Sequence, residues 1–427
     1  MPYCIAGIDV HQKMLAVAVA DVEVEGEWRF DRRQFGTSPS QLRVLAEWFV
    51  DREVEEVVME STAQYWRPVW EALERHWQPT CRGRADAGPT SGVLHLAQAQ
   101  SNNGPRGRKK DFPDAERLVK RLVAHELTLS FVPDVTQRLW RTVTRRKYQL
   151  TCNRVQLRNR LECLLEEAQI QVSSLVSDLL GLSGRRMLRA VATGETEPIT
   201  VAALGSPRLH ATPDQLRDAL GACADLHPVY RRLLAMTLDE LDVIAAHIRR
   251  LDEELAQLLR AHQAAVERLS AVPGLGVDSA QQIIAEVGPT AATFPSAKRL
   301  ASWVGACPGH HESAGINHSR RSPNGNRQMR RLLNQAAHAA IKTKGSIFEL
   351  VYRRLVVRLG HAQAIGAIAH RLCRLVWKLL HDGMVYEERG PAVTKARAHR
   401  RAAKMIRELR SLGYRVEPGL AAGSILP

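Results

Sequence analysis

The chain opens on short apolar runs broken by polar turns, the alternation expected of strands. Residues 5 to 10 and 14 to 20 flank the polar turn His11-Gln12-Lys13, and Trp28 to Phe35 supplies a third, alternating run. Ser38-Pro39-Ser40 marks a helix start, since serine can cap and proline suits a first turn, and Leu42, Leu45, Ala46 and Phe49 then fall on one face. Glu55 to Met59 reads as a buried strand ending at Glu60, with Ser61 or Thr62 placed to cap a helix running from Tyr65 towards His76. Beyond that the period lengthens. Pro133 to Ile170 predicts a long helix rich in Arg and Leu, and Leu226 to Leu269 a second, with Leu233, Leu241, Ile244, Ile248, Leu251, Leu255 and Leu258 near heptad spacing. Between them, 171 to 225 is rich in small residues and in Gly and Pro, which reads as a compact helical insert or a linker.

Three strands, a helix, a strand and a helix is the order of a ribonuclease H-like α/β domain, although other mixed folds begin the same way. The fold class expected is therefore α/β plus α. With 427 residues, two or three domains are expected.

Charge adds a partner to this picture. Sixty Lys and Arg stand against 45 Asp and Glu, a formal charge of +15, which points to a polyanion, nucleic acid before membrane. No signal-like start and no long apolar run is found, so a cytoplasmic protein is expected. The seven cysteines lie scattered with no C-x-x-C pair, which argues for reduced thiols rather than a disulfide frame or zinc knuckle. Adjacent His310 and His311, with His318, lack the cysteine or acid spacing of a zinc site.

Four carboxylates sharpen the N-terminal reading. Asp9 interrupts an apolar strand near its carboxyl end, where an uncompensated charge is costly, and Glu60 ends a neighbouring one. Residues at such strand ends converge on one crevice in an α/β sheet. Asp111 and Asp114 share one helical face if the turn is formed, and the four together could bind two Mg²⁺ ions. The same two residues also suit an N-cap and a first-turn charge ahead of Pro113, Glu60 a capping acid, and Asp9 a turn residue. Sequence alone leaves both readings open.

Further on, Ala271-Val272-Pro273-Gly274-Leu275-Gly276 before an apolar helix, Ala280 to Val287, has the look of a helix-hairpin-helix turn. There Gly274 and Gly276 would offer backbone N–H groups to phosphate; the alternative is a plain turn between core helices. Ser313-Ala314-Gly315 sets a hydroxyl before a glycine, with Arg320, Arg321, Arg327, Arg330 and Arg331 close enough in sequence to clamp phosphate. From Arg389 onward basic residues dominate, suiting a phosphate-binding or solubilising tail.

Gly7-Ile8-Asp9-Val10-His11, Glu60-Ser61-Thr62 with Tyr65-Trp66, and Arg108-Lys109-Lys110-Asp111 leading to Asp114-Ala115 resemble the DEDD transposases of bacterial insertion sequences, a family that also contains site-specific DNA invertases. A second signature, Leu300 to Gly305 through Ser313-Ala314-Gly315 to Gly325-Asn326 and Arg330-Arg331, resembles the same family's C-terminal domain. The resemblance implies a RuvC-like metal-binding domain over 1–130, a helical connector with coiled-coil-like helices over 131–268, a mainly helical serine transposase domain over 269–385 and a basic tail over 386–427. It implies that Asp9, Glu60, Asp111 and Asp114 are catalytic metal ligands and that Ser313 is the nucleophile, with Ser319 and Ser322 as runners-up. Ile316 and Asn324 replace residues that are commonly basic in the family, which shifts phosphate clamping onto arginine. The expected function is RNA-guided DNA cleavage and rejoining through a phosphoserine. The partners implied are element-end and target DNA, a structured bridge RNA, and further copies of the chain in a dimer or tetramer acting at the bacterial nucleoid. The competing readings are a RuvC-like nuclease using metal and water alone and an inactive nucleic-acid-binding scaffold.

Overall fold

The computed structural model describes residues 3–22, 28–60, 63–77, 93–102, 111–309, 312–313, 316–317, 322–388 and 395–415. The chain divides into two units, Met1–Pro133 and Asp134–Pro427.

In the first unit the apolar runs form β1 (Tyr3–Val10), β2 (Met14–Val22) and β3 (Phe30–Gly36), an antiparallel meander. Helix α1 (Pro39–Asp51) follows, its first turn capped by Ser38, whose side chain accepts from the Gln41 N–H, with proline at the first position. Strand β4 (Val54–Glu60) pairs parallel with β1. Helix α2 (Trp66–His76) starts close to the expected Tyr65, with Tyr65 at its N-cap position and no side-chain cap; Ser61 and Thr62, expected to cap it, lie outside the described residues. Two strands had no counterpart in the sequence reading. β5 (Val93–Ala97) adds parallel to β4, and β6 (Leu129–Ser130) closes the far edge antiparallel to β5, giving the order β3-β2-β1-β4-β5-β6. Helix α3 (Asp111–Val123) packs Leu118, Val119 and Leu122 against Ile5, Ala20 and Val58 on one face of the sheet, while Leu42, Leu45 and Phe49 of α1 and Val69 and Leu73 of α2 belong to the other core.

The second unit is helical, with two cores. Helix α4 (Val135–Glu167), capped by Asp134, buries Leu157, Leu161 and Leu165 with α5 (Leu182–Ala192), α6 (Pro198–Ala202), α7 (Pro213–Ala219) and the first half of α8 (Pro228–Leu258). The segment 171–225 is thus a compact helical insert. The second core gathers the end of α8 with α9 (Gln263–Ser270), α10 (Val277–Val287), α11 (Ala297–Val304), α12 (Arg327–Ala340), α13 (Ile347–Leu359) and α14 (His361–His381). Between α11 and α12 the two-residue strands β7 (Glu312–Ser313) and β8 (Ile316–Asn317) form a hairpin. The basic tail carries one more helix, α15 (Lys395–Ser411).

Candidate active site

β1 and β4 run parallel with Ile8 opposite Met59, so the next residues, Asp9 and Glu60, follow side by side at the carboxyl ends of the two strands. Helix α3 comes down over that edge because β1 offers it a glycine: a Cβ on Gly7 would stand 2.2 Å from the Ala115 carbonyl oxygen and 2.9 Å from Val119 Cγ2. The contact brings the first turn of α3, with Asp111 and Asp114, to the strand ends. Asp111 is half-exposed, whereas Asp9 keeps only 14% of its side-chain surface.

The electrostatics record the convergence. Burial holds the Asp9 carboxyl above the usual carboxylate range, and the negative charges of Asp114, Glu60 and Asp111 push the same way against a lowering by His11. Asp114, Glu60 and Asp111 therefore each lie within electrostatic reach of Asp9. The tightest group joins Asp9, Asp111 and His11, whose ligand atoms lie within 4.8 Å of one another, with His11 Nε2 3.2 Å from Asp9 Oδ2 and 3.4 Å from Asp111 Oδ1. Glu60 Oε2 accepts from Asn102 Nδ2 at 2.8 Å, and Asp114 Oδ1 lies 2.7 Å from Arg117 Nη2. Hard carboxylate oxygens crowded around a half-buried acid that resists ionisation are a donor set suited to a divalent cation, whose charge would offset that repulsion.

Three members of this neighbourhood escaped the sequence reading. In the sequence His11 reads as part of a turn, although its position two residues after Asp9 is a usable signal. Asn102, buried at 5% exposure, lies 42 positions from the carboxylate it holds, and Arg117 shares the helical face of Asp114. Neither carried a local signature.

In the second unit the backbone of Ser313 lies in β7, opposite Ile316. Gly315, Ser319, Arg320, Arg321 and the three histidines His310, His311 and His318 lie outside the described residues. The loop that carries the hairpin is pinned at both ends. Gly305 ends α11 at φ 71°, the left-handed conformation glycine tolerates, and a Cβ there would meet Arg330 Nη2 at 2.5 Å. Asn326 caps α12 and donates its backbone N–H to the Trp303 carbonyl at 3.0 Å. Its side-chain amide donates at 2.9 Å to Glu286, a carboxylate almost fully buried on α10 and also held by Arg145 at 2.9 and 3.0 Å and by Arg141 at 3.4 Å, both from α4. A buried charge is tolerable only when paired in this way.

The predicted phosphate contacts are distributed unevenly. Arg327 stands exposed at the start of α12. Arg330 donates to the Pro323 carbonyl at 2.6 Å, and Arg331 donates to Gln282 at 2.8 Å while its guanidinium lies 3.8 Å from the Tyr148 ring centroid. Gly274, at φ 86°, packs against α12, where a Cβ would meet the Ala336 oxygen at 2.3 Å; Gly276, which caps α10, faces open space.

A mixed sheet with clustered carboxylates at its parallel strand ends, followed by a mainly helical region, is consistent with a RuvC-like transposase. Comparison with known proteins leads to the same class. Residues 6–170 match the family model of DEDD transposases, and residues 266–353 match that of the IS116/IS110/IS902 transposase family. Among curated relatives, the chain is 31% identical over 145 residues to the insertion element IS110 uncharacterized 43.6 kDa protein of Streptomyces coelicolor, covering 34% of this chain and 35% of that one. It is 31% identical over 169 residues to the insertion element IS900 uncharacterized 42 kDa protein of Mycobacterium paratuberculosis, covering 39% and 41%. A probable family 20 transposase of Pseudomonas aeruginosa is 26% identical over 285 residues, covering 66% and 75%. The chain thus spans between a third and about two fifths of the length of the first two relatives. By these two matched regions and its relatives' names it is recognised as similar to the DEDD transposases of the IS110/IS116/IS902 family.

Proposed function

We propose that this chain is the transposase of an insertion sequence, cutting and rejoining DNA with a divalent metal, Mg²⁺, held by Asp9, Glu60, Asp111 and Asp114, and with Ser313 as nucleophile. The observation that supports the metal half most directly is the joint action of Asp114, Glu60 and Asp111 on the half-buried carboxyl of Asp9. When bound, such a cation polarises a phosphodiester and offsets charge on its oxygens. His11 orients Asp9 and Asp111, Asn102 fixes Glu60, and Arg117 steadies Asp114. In the serine step, Ser313 Oγ forms a bond to phosphorus as one P–O bond of the strand breaks. The serine proton leaves with the reaction, the departing deoxyribose hydroxyl gains one, and rejoining reverses the exchange, so no bond energy is lost to water. Arg320, Arg321 and Arg327 supply charge to the phosphate, Arg330 braces the serine loop through the Pro323 carbonyl, Arg331 ties α12 to Gln282 of α10, and Gly274 and Gly276 shape the turn before α10. We further propose that a structured RNA encoded by the element selects the DNA and that a dimer or tetramer does the work.

The test is a covalent adduct. Wild-type protein given element-end DNA, the RNA encoded beside its reading frame and Mg²⁺ should yield a denaturation-resistant protein–DNA species whose modified peptide contains Ser313. Ser313→Ala should yield none, and Asp9→Asn or removal of metal by EDTA should abolish strand exchange while nucleic-acid binding persists. Hydrolytic cleavage that survives Ser313→Ala without any adduct would establish the metal-and-water nuclease instead; absence of cleavage in every metal would leave the scaffold reading.

A further inference from the structure

A cavity of about 880 Å³ opens in the second unit beside the root of the serine hairpin. Gly309, just before β7, and Ser322, just after β8, both line it, so whatever occupies the cavity lies where the hairpin begins and ends. Its lip is fixed, because His370 Nδ1 on α14 lies 2.6 Å from the Ala306 carbonyl oxygen. The walls are of two kinds. Leu355 and Leu359 of α13 are apolar and partly exposed, backed by the buried Leu333 of α12, while Arg358, Arg371 and Arg374 are exposed along the rim. Among the described residues no acidic side chain lines the space and none of these three arginines has an ion pair. On α14 the exposed Gly366 leaves the floor open, since a Cβ there would meet nothing within 4 Å.

We infer that this cavity takes an unpaired nucleic-acid strand, one or two nucleotides deep, with bases against the leucine wall and phosphates on Arg358, Arg371 and Arg374. The inference deepens the proposed function and rests on its claim that this unit handles nucleic acid. An apolar wall beside unneutralised guanidinium groups matches the two halves of a nucleotide, and guanidinium planes also stack on bases. Pockets of roughly 300–1,000 Å³ hold small organic ligands. A double helix, whose major groove alone is about 12 Å wide, lies across such an opening instead of entering it.

The experiment measures equilibrium binding of fluorescein-labelled dT12, rU12 and a 12-base-pair blunt duplex to the full chain in EDTA, which removes strand exchange from the readout. The single strands should bind at least tenfold more tightly than the duplex, with dT12 and rU12 telling whether DNA or RNA is preferred. Replacing Arg358, Arg371 and Arg374 together by Gln should weaken single-strand binding at least tenfold and lower the salt slope by about 2, since each lost phosphate contact removes about 0.7. Gly366→Leu keeps every charge and favours the helix, so unchanged thermal stability with weakened single-strand binding is expected there too. Equal affinity for duplex and single strand, or a Gly366→Leu protein that binds as wild type, would overturn the cavity assignment alone. Failure to bind any of the three probes would overturn the nucleic-acid reading beneath it.

Discussion

Gly7→Ala adds one methyl group and should cost both stability and the metal centre. The new Cβ would lie 2.2 Å from the Ala115 carbonyl oxygen and 2.9 Å from Val119 Cγ2. Non-bonded heavy atoms prefer about 3.5 Å, so α3 must retreat by about 1 Å. The obstacle is helix backbone, which cannot rotate out of the way as a side chain does. Overpacking of this kind costs typically about 1–3 kcal/mol. The functional loss should be larger than the loss of stability, because α3 carries Asp111 and Asp114 on its first turn and a misplacement of about 1 Å can lower a rate on the order of 100-fold. Thermal unfolding gives the first quantity, and calorimetric titration with Mn²⁺ together with strand-exchange assays gives the second. Stability lowered by about 1–3 kcal/mol with metal affinity and activity within threefold of wild type would show that α3 does not position the carboxylates. Unaltered stability would show that the close approach itself is wrong.

Glu286→Ala leaves the guanidinium groups of Arg141 and Arg145 facing a buried vacancy and frees Asn326, so denaturant unfolding of the second unit should show a loss of about 3–5 kcal/mol; a loss under about 1 kcal/mol would mean the network is slack. Burial pushes the Cys373 thiol up to about 12 and the Cys223 thiol up to about 11. Both are raised groups, so the stability they contribute is complete below the unfolded value near 8.5 and falls as pH climbs from there through the folded values. Urea midpoints should decline accordingly above about pH 9, and alkylation at pH 8.5 should mark the exposed Cys163 well before either buried thiol; early labelling of Cys373 would refute its burial.

Much of the first unit was readable because β1 and β2 are self-contained apolar runs, β3 follows an alternating run, β4 holds Val57-Val58-Met59 together, and α1 carries its own serine cap. β5 was not, since Val93–Ala97 is five residues long with His95 at its centre. The structure explains that histidine by its 2.9 Å contact with Glu56 on the neighbouring strand, a pairing 39 positions away. β6 exists only through its register with β5, and two residues hold no pattern of their own. Among the candidate site residues, chemistry and spacing left the four carboxylates open between metal ligands and caps, and the resemblance to DEDD transposases singled them out. Asn102 and Gly7 were not singled out, because what matters about each is a partner brought close only by folding. Arg330 and Gly274 show the opposite limit, where a residue type suited to phosphate is also used for packing on α12.

The six-stranded sheet ends on one side in two residues, Leu129–Ser130, and on the other in β3, whose central residues are the charged Asp31, Arg32 and Arg33. Two residues present little free backbone for an incoming strand to pair with, and charges on an edge strand discourage it. Among the described residues, further copies of this chain therefore find no ready seam along which to extend the sheet. Association through helical surfaces can separate again without tearing a hydrogen-bond ladder. Under the proposed function, in which copies gather on DNA and then let go, reversible contact of that kind is an advantage, and it guards the chain against fibre-like stacking when it is made in excess.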